Sequence, residues 1–170
     1  MEEITSDSCP HCGYLHSQQV VPGYVLQPGT ILHGKYLIGK VLGQGGFGIT
    51  YQATQVALNR KVAIKEFFMK DVCNRNEDSN IVSVPSVGSK ELVERFKQKF
   101  IKEAWNISKL KHPHIIKVVD VFEENETAYY VMEYLDRGSL RDLVNRRGKL
   151  SEQEALFYIK QIASALAYIH

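Results

Sequence analysis

A glycine-rich segment, Gly43-Gln44-Gly45-Gly46-Phe47-Gly48, separates two strand-like runs and fits the pattern G-x-G-x-x-G. Glycines lack a Cβ, so the backbone N–H groups of such a segment can approach phosphate oxygens closely. A dinucleotide-binding fold needs a helix directly after the third glycine, whereas Ile49-Thr50-Tyr51 continues as a strand. A Walker A loop needs Gly-Lys followed by Ser or Thr, and the sequence has no such tripeptide. The segment therefore predicts a hairpin that lies over a phosphate chain, with a purely structural tight hairpin as the alternative.

A lysine ends the apolar run Val62-Ala63-Ile64-Lys65, which is typical of a buried strand. An ammonium group is costly to bury without a partner, because it loses its hydration. Glu103 is the candidate partner, since it lies beside apolar residues in a later helical segment that also contains Glu91 and Glu94. A Lys65–Glu103 ion pair would aim the ammonium at the α- and β-phosphates of a nucleotide. The alternatives are a solvated lysine at a strand edge and a surface glutamate paired along its own helix.

A second kind of site is indicated near the N-terminus, where two residues separate Cys9 from Cys12 and a glycine follows. Two thiolates on a tight turn are typical of a zinc knuckle, and a closed zinc site needs four ligands. His16 is a candidate third ligand, His11 is a less favourable one, and Cys73 lies far along the chain. We therefore predict zinc binding by Cys9, Cys12 and His16, with two free thiols in a mobile tail as the alternative.

The composition is that of an ordinary globular protein: 44% of the 170 residues are hydrophobic, 24% are charged, and the formal net charge is +2. These values argue against a disordered or collagen-like chain, and they do not indicate a nucleic-acid or anionic-membrane partner. No apolar run reaches the roughly 18 residues that a membrane span needs. The acidic start lacks the basic and apolar regions of a signal peptide. We expect a cytoplasmic protein without a membrane segment.

The elements that position these residues follow from hydrophobic periodicity. Five runs rich in β-branched and aromatic residues predict strands at 36–42, 49–53, 62–67, 116–122 and 128–134. A long helix is predicted from Ser89, because apolar residues recur at three- and four-residue steps at Val93, Phe96, Phe100, Ala104 and Ile107. A short helix follows Gly138-Ser139, and a capping box of Ser151 and Glu154 begins a last helix.

The order of three strands, one helix, two strands and further helices predicts an α+β fold with a five-stranded antiparallel sheet. The polar segment 71–88 predicts an inserted loop or hairpin, to which we assign no chemistry. Residues 1–30 differ from the rest, because the cysteine pair is followed by a polar stretch punctuated by proline and glycine. We predict a tail and linker over 1–30, the strand-rich region over 31–135 and a helical region over 136–170.

Taken in order, these motifs resemble those of the protein kinases, in particular bacterial members of the eukaryotic-like Ser/Thr group, from about Tyr36 to His170. The loop, strand and helix motifs that carry the resemblance are Leu42–Gly48, Val62–Lys65, Glu103, Leu110–Ile115, Val131–Leu135 and Gly138–Leu140. The resemblance implies a kinase N-lobe and hinge over 31–135 and the first helices of a C-lobe over 136–170. It also implies binding of ATP and Mg²⁺ and transfer of the ATP γ-phosphate to protein Ser or Thr.

The resemblance also assigns roles to individual residues. Lys65 and Glu103 take the catalytic positions of the family's nucleotide-binding lobe. The phosphates would lie under Gly43, Gln44, Gly45, Gly46, Phe47 and Gly48. The walls around adenine would be formed by Leu42, by Ala63, by Met132 and by Thr50, which replaces the family's usual valine. The backbone groups of Glu133 and Leu135 would bind the adenine edge, and Ser139 would reach the ribose, although a helix N-cap explains that serine equally well.

The sequence contains no His-Arg-Asp and no Asp-Phe-Gly motif, which in the family supply the catalytic base and the metal ligands. As written, the chain is therefore expected to be catalytically incomplete. The apolar stripe of the last helix is expected to be exposed and to support self-association through residues 151–170. Two hypotheses remain: the ATP-binding portion of a Ser/Thr kinase whose protein substrate is unknown, and a non-catalytic nucleotide-binding or protein-interaction module.

Overall fold

An antiparallel sheet is the frame of the computed structural model, which describes residues 22–76 and 78–170. Its strands run in the order β1-β2-β3-β4-β8-β7, and two further short strands, β5 and β6, form a separate hairpin. The strands are β1 (Ile31–Leu32), β2 (Tyr36–Gly45), β3 (Gly48–Gln55), β4 (Arg60–Phe67), β5 (Asn74–Arg75), β6 (Val82–Ser83), β7 (Val118–Glu124) and β8 (Thr127–Glu133). The helices are α1 (Val87–Ser108), α2 (Leu140–Arg147) and α3 (Glu152–Ile169), with one 3₁₀ turn at Val56–Leu58.

The predicted α+β fold is confirmed, and the five predicted strands are β2, β3, β4, β7 and β8. The sheet has a sixth strand, β1, in which Ile31 and Leu32 pair with Leu37 and Tyr36 of β2. Two residues are too few to show a periodicity, so this strand was not predicted from the sequence. The predicted insertion before the helix forms the β5–β6 hairpin, where Asn74 pairs with Ser83.

One face of the sheet packs against α1. The helix buries Val93, Phe100, Ile101 and Ala104, which include three members of the predicted apolar stripe. The Phe100 ring lies 5.7 Å from the Phe67 ring of β4 and 4.9 Å from the Tyr130 ring of β8, measured between ring centroids. Buried aromatic pairs at these separations add to the free energy of area burial. The predicted long helix therefore packs against the sheet through the side chains that its periodicity indicated.

The opposite face of the sheet is covered by residues 22–30, which we call the strap, together with the β5–β6 hairpin. Val25 and Leu26 of the strap are only 3% and 1% exposed and belong to the hydrophobic core. The predicted boundary between residues 30 and 31 does not coincide with this packing. Proline and glycine do form turns at both ends of the strap, as in the Val25 N–H to Pro22 carbonyl hydrogen bond of 2.9 Å. The apolar pair between those turns nevertheless packs into the core.

Helices α2 and α3 follow the sheet, and both begin with a capping box. The predicted pair of Ser151 and Glu154 forms one, and Ser139 forms the other with Asp142. Hydrogen bonds to Ser151 and to Arg147 hold the pKa of the Glu154 carboxyl below its ordinary value. Large apolar side chains of α3 are exposed: Leu156, Phe157, Ile159, Ile162, Leu166 and Ile169. Within residues 22–76 and 78–170, no helix has the length and apolarity needed to cross a membrane.

Candidate functional site

The glycine-rich segment forms the turn between β2 and β3, in which Gly45 pairs with Gly48 and residues 41–47 are exposed. A Cβ added at Gly48 would lie 2.5 Å from the Glu66 carbonyl oxygen, so close packing of β3 on β4 requires glycine there. A Cβ added at Gly43, Gly45 or Gly46 would meet no atom within 4 Å. None of these three glycines has a positive φ. A structural hairpin therefore explains Gly48 but gives no reason for the other three glycines.

The Lys65 side chain extends from β4 and lies beside Gly48, the last residue of the glycine-rich segment. Thr50 of β3 and Tyr130 of β8 flank it in the sheet, and a Cβ at Gly48 would lie 3.7 Å from the Lys65 Cε. The Lys65 ammonium lies 5.5 Å from the Tyr130 ring centroid and 5.7 Å from the Phe100 ring centroid. Aromatic faces at these distances attract a cation without neutralising it. The structure therefore brings the predicted lysine and the predicted glycine loop together.

The structure does not pair Lys65 with Glu103. Among residues 22–76 and 78–170, the ion pairs are Arg75–Glu66, Lys97–Glu94, Lys97–Glu123 and Arg147–Glu154. The Glu103 side chain is exposed on α1, where it lines a surface hollow with Leu110 and Ile169. Phe100 takes the sheet-facing position next to Lys65. The expected ion pair is therefore absent among the described residues, where Phe100 of α1 contacts Lys65 and Glu103 is exposed.

Three of the four residues predicted to form the walls around adenine share a face of the sheet with Lys65. Ala63 precedes Lys65 by two positions in β4 and pairs with Met132 of β8, while Thr50 pairs with Lys65. Ala63 is buried but lies outside the hydrophobic core cluster, and Thr50 and Met132 are half-buried. Leu42 is 42% exposed and lies in β2, where the register is irregular between Val41 and Gly43. The face beside Lys65 thus offers small and apolar side chains.

The end of β8 and the segment that follows it contain the remaining predicted binding residues. The Glu133 N–H donates to the Lys117 carbonyl at 3.1 Å, and the Lys117 N–H donates to Glu133 Oε1 at 2.9 Å. Leu135 is 64% exposed. The Ser139 hydroxyl accepts from the Asp142 N–H at 3.2 Å and donates to Asp142 Oδ2 at 2.7 Å. Ser139 therefore acts as the N-cap of α2, and contact with a ribose stays a prediction.

A buried charged cluster, which was not predicted from the sequence, lies on the sheet face opposite Lys65. The Glu66 side chain is fully buried and accepts hydrogen bonds from the hydroxyls of Tyr51, at 2.8 Å, and Tyr129, at 2.9 Å. The Arg75 guanidinium, 1% exposed, contacts Glu66 Oε1 at 2.5 Å. Burial opposes the charge on Arg75, but the neighbouring Glu66 keeps the pKa of the guanidinium above its ordinary value. Strand alternation was the available signal, since it places Glu66 on the face opposite Lys65.

The same burial affects the two tyrosines of this cluster. Burial raises the pKa of the Tyr51 and Tyr129 hydroxyls far above the ordinary value, and the charge of Glu66 raises it further. Both hydroxyls therefore stay protonated and can donate to the carboxylate. Because every charged group of the cluster has a partner, its residues are held in one arrangement.

The predicted zinc ligands Cys9, Cys12 and His16 lie outside the described residues, so zinc binding by them stays a prediction. In the part of the chain that the structure describes, no group of three or more metal-ligating side chains is found. Cys73 is a buried free thiol whose pKa is raised, mainly by burial.

Comparison with known proteins identifies the family to which this chain belongs. The family described as "Protein kinase domain" matches residues 36–170. The chain therefore belongs to the protein kinase family, and its sheet, α1 and the helices that follow are a kinase N-lobe and the start of a C-lobe.

One relative by sequence and two solved structures are similar to this chain. The chain is 34% identical over 142 residues to the serine/threonine-protein kinase PrkC of Bacillus subtilis (strain 168), which covers 84% of this chain and 19% of the relative. A solved structure titled "PpkA-294 apo form" matches with a TM-score of 0.67 and 29% identity over 72% of this chain and 43% of that one. "Crystal structure of Rad53 1-466 in complex with AMP-PNP" matches with a TM-score of 0.60 and 26% identity, over 80% and 30% of the two chains. The chain spans about a fifth of the length of PrkC.

Proposed function

We propose that this chain is the ATP-binding portion of a protein serine/threonine kinase. One observation carries the proposal: the Lys65 side chain lies beside Gly48 of the glycine-rich turn, and among the described residues its ammonium forms no ion pair. Three glycines of that turn are not required by packing or by backbone conformation. A phosphate chain is anionic, so it can bind a cation that has no carboxylate partner. Its oxygens can also approach the backbone N–H groups of glycines, which carry no side chains.

The proposed roles follow from where these groups lie. The backbone N–H groups of the turn from Gly43 to Gly48 would bind phosphate oxygens, and Lys65 would contact the α- and β-phosphates. Mg²⁺ would enter with the nucleotide and neutralise charge on its phosphates. In a complete kinase the γ-phosphate would pass to a protein Ser or Thr. Glu103 remains the proposed partner of Lys65 in a nucleotide-bound arrangement of α1.

The adenine would lie against the sheet face that carries Lys65. Ala63, Met132 and Thr50 share this face, and Leu42 would contact the base from β2. The backbone groups of Glu133 and Leu135 would bind the adenine edge. The solved Rad53 structure holds AMP-PNP, an ATP analogue, which supports the same ligand class here.

The test is the affinity for ATP, in the presence of Mg²⁺, of the Lys65→Ala variant. Loss of a charge-assisted contact to phosphate costs about 1.5–3 kcal/mol, so we expect roughly 10- to 150-fold weaker binding by calorimetric titration. Lys61→Ala is the matched control, because Lys61 is an exposed lysine of the same strand. Equal affinities of Lys65→Ala and the unaltered chain would refute the proposed site.

The exposed apolar face of α3 favours an additional role, which is self-association through residues 151–170. This role belongs to the second hypothesis, in which the chain is a protein-interaction module. Its large side chains include Ile159, Ile162 and Leu166. Burying such a face against a second copy would remove apolar surface from water. We expect sedimentation velocity to show dimers at rising concentration, and we expect Ile162→Glu to abolish them. Lys160→Glu, at an exposed polar position of the same helix, is the control; a monomer at all concentrations contradicts this role.

A further inference from the structure

Tyr24 of the strap contacts the glycine-rich turn directly. Its hydroxyl donates a hydrogen bond to Gln44 Oε1 at 3.1 Å. Gln44 is the residue between the first two glycines of the pattern, and residues 41–47 are all exposed. A residue that precedes the matched kinase domain therefore contacts the turn proposed to bind phosphates.

Tyr24 is itself held on the sheet by contacts of three kinds. Its backbone carbonyl accepts a hydrogen bond from Arg75 Nε at 2.8 Å. Its ring stacks on Phe68 with a centroid separation of 5.9 Å, and the Lys70 ammonium lies 5.2 Å from that ring. The next two strap residues are core residues, and the Leu26 N–H donates to the Tyr51 hydroxyl at 3.2 Å. Tyr24 is therefore fixed before any ligand binds.

Arg75 connects Tyr24 to the strand that carries Lys65. One end of its guanidinium pairs with Glu66, the residue after Lys65, and Nη1 donates to the Asn80 carbonyl at 2.8 Å. The Arg75 side chain is only 1% exposed and has three hydrogen-bond partners, so it has little freedom to move, because breaking a contact leaves a desolvated group unpaired. The Tyr24 carbonyl is thus placed relative to β4 by a rigid side chain.

The glycine-rich turn receives a second hydrogen bond from the same region. The Phe68 N–H donates to the Phe47 carbonyl at 3.2 Å, and Phe68 is the residue on which Tyr24 stacks. Gln44 and Phe47, near the two ends of the turn, are therefore both held by the Tyr24–Phe68 pair. Phe47 also stacks on Phe96 of α1, at 5.2 Å between centroids.

We propose that Tyr24 is a positioning residue for nucleotide binding, which it assists by holding the glycine-rich turn through Gln44. This inference rests on the proposed function of the turn. Restricting the turn to positions near the phosphates before binding lowers the conformational entropy lost when the nucleotide binds. Tyr24 itself lies outside the predicted nucleotide contacts, so its effect acts through the turn and concerns the phosphates, not adenine.

The experiment compares the affinities of Tyr24→Phe and the unaltered 170-residue chain for two probes, ATP with Mg²⁺ and adenosine. Losing one exposed hydrogen bond of about 0.5–1 kcal/mol predicts roughly two- to fivefold weaker ATP binding. Adenosine carries no phosphate, so its affinity is expected to stay unchanged. Hydrogen exchange of backbone amides 43–48 is expected to become faster in Tyr24→Phe without nucleotide, because the turn moves more freely.

Tyr36→Phe is the matched control, since the Tyr36 hydroxyl donates to Asp120 Oδ2 at 2.8 Å from the other end of the same strand, β2. We expect this control to bind ATP like the unaltered chain. In a double-mutant cycle, Tyr24→Phe combined with Gln44→Ala should weaken ATP binding no more than Gln44→Ala alone.

The outcomes separate this inference from the proposed function. If Lys65→Ala loses ATP binding but Tyr24→Phe binds ATP like the unaltered chain, the positioning role is refuted and the site stands. Equal losses for ATP and adenosine in Tyr24→Phe, or additive losses in the cycle, also refute it, because they indicate a general structural effect. If Lys65→Ala binds ATP normally, the proposed function itself fails.

Discussion

Lys65 and Glu66 are neighbours in β4, yet they lie on opposite faces of the sheet and have different surroundings. Glu66 is fully buried and receives hydrogen bonds from two tyrosines and the Arg75 guanidinium. Lys65 is half-buried, contacts two aromatic rings, and among the described residues has no carboxylate partner. A face whose polar groups are all satisfied internally stabilises the lobe. A face that leaves a cation unsatisfied is prepared for an anionic ligand.

The largest expected effect is on the free energy of unfolding, which should depend on Arg75 far more than on Lys65. Removing one partner of a buried ion pair leaves an uncompensated charge, so Arg75→Met is expected to lower the free energy of unfolding by about 3–5 kcal/mol. Lys65→Met loses only cation–aromatic contacts in a half-buried position, and we expect a decrease below about 1 kcal/mol. Urea denaturation followed by circular dichroism measures both values.

The double variant Glu66→Gln with Arg75→Met is the control for charge. Because it removes both charges, it should recover part of the stability that Arg75→Met loses. If Lys65→Met is as destabilising as Arg75→Met, then Lys65 serves the structure of the lobe and the contrast between the two faces is wrong.

The two faces also differ in how far the sequence predicted them. Five of the six strands of the sheet and the face with Lys65, Ala63 and Thr50 follow from local periodicity and from motifs that are short and ordered. Helix α1 was predicted from Ser89 and is observed over Val87–Ser108, since its apolar repeat is long. Such features depend on neighbours within a few residues, which a sequence displays directly.

The charged face could not be predicted in the same way. Its partners come from the strap, the hairpin and three strands, which are far apart along the chain. Arg75 stands in a polar insertion without periodicity, and Tyr24 stands in a segment whose prolines and glycines are typical of a linker. The missing Lys65–Glu103 pair has a similar cause. It depends on how α1 is placed against the sheet, where Phe100 rather than the carboxylate faces the lysine.

The glycine-rich turn shows the same contrast between a structural and a binding role at single glycines. Substitutions at these glycines have the smallest expected effects. A Cβ at Gly48 would overlap the Glu66 carbonyl oxygen, so Gly48→Ala is expected to destabilise the lobe by about 1–3 kcal/mol. A Cβ at Gly45 would meet no atom within 4 Å, so Gly45→Ala should leave stability unchanged or raise it by up to about 1 kcal/mol. The same methyl would occupy space that the phosphates need, and we expect roughly fivefold weaker ATP binding, about 1 kcal/mol. Urea denaturation and ATP titration of both variants measure the contrast, which disappears if Gly45→Ala binds ATP normally, because the open glycines then have no role in binding.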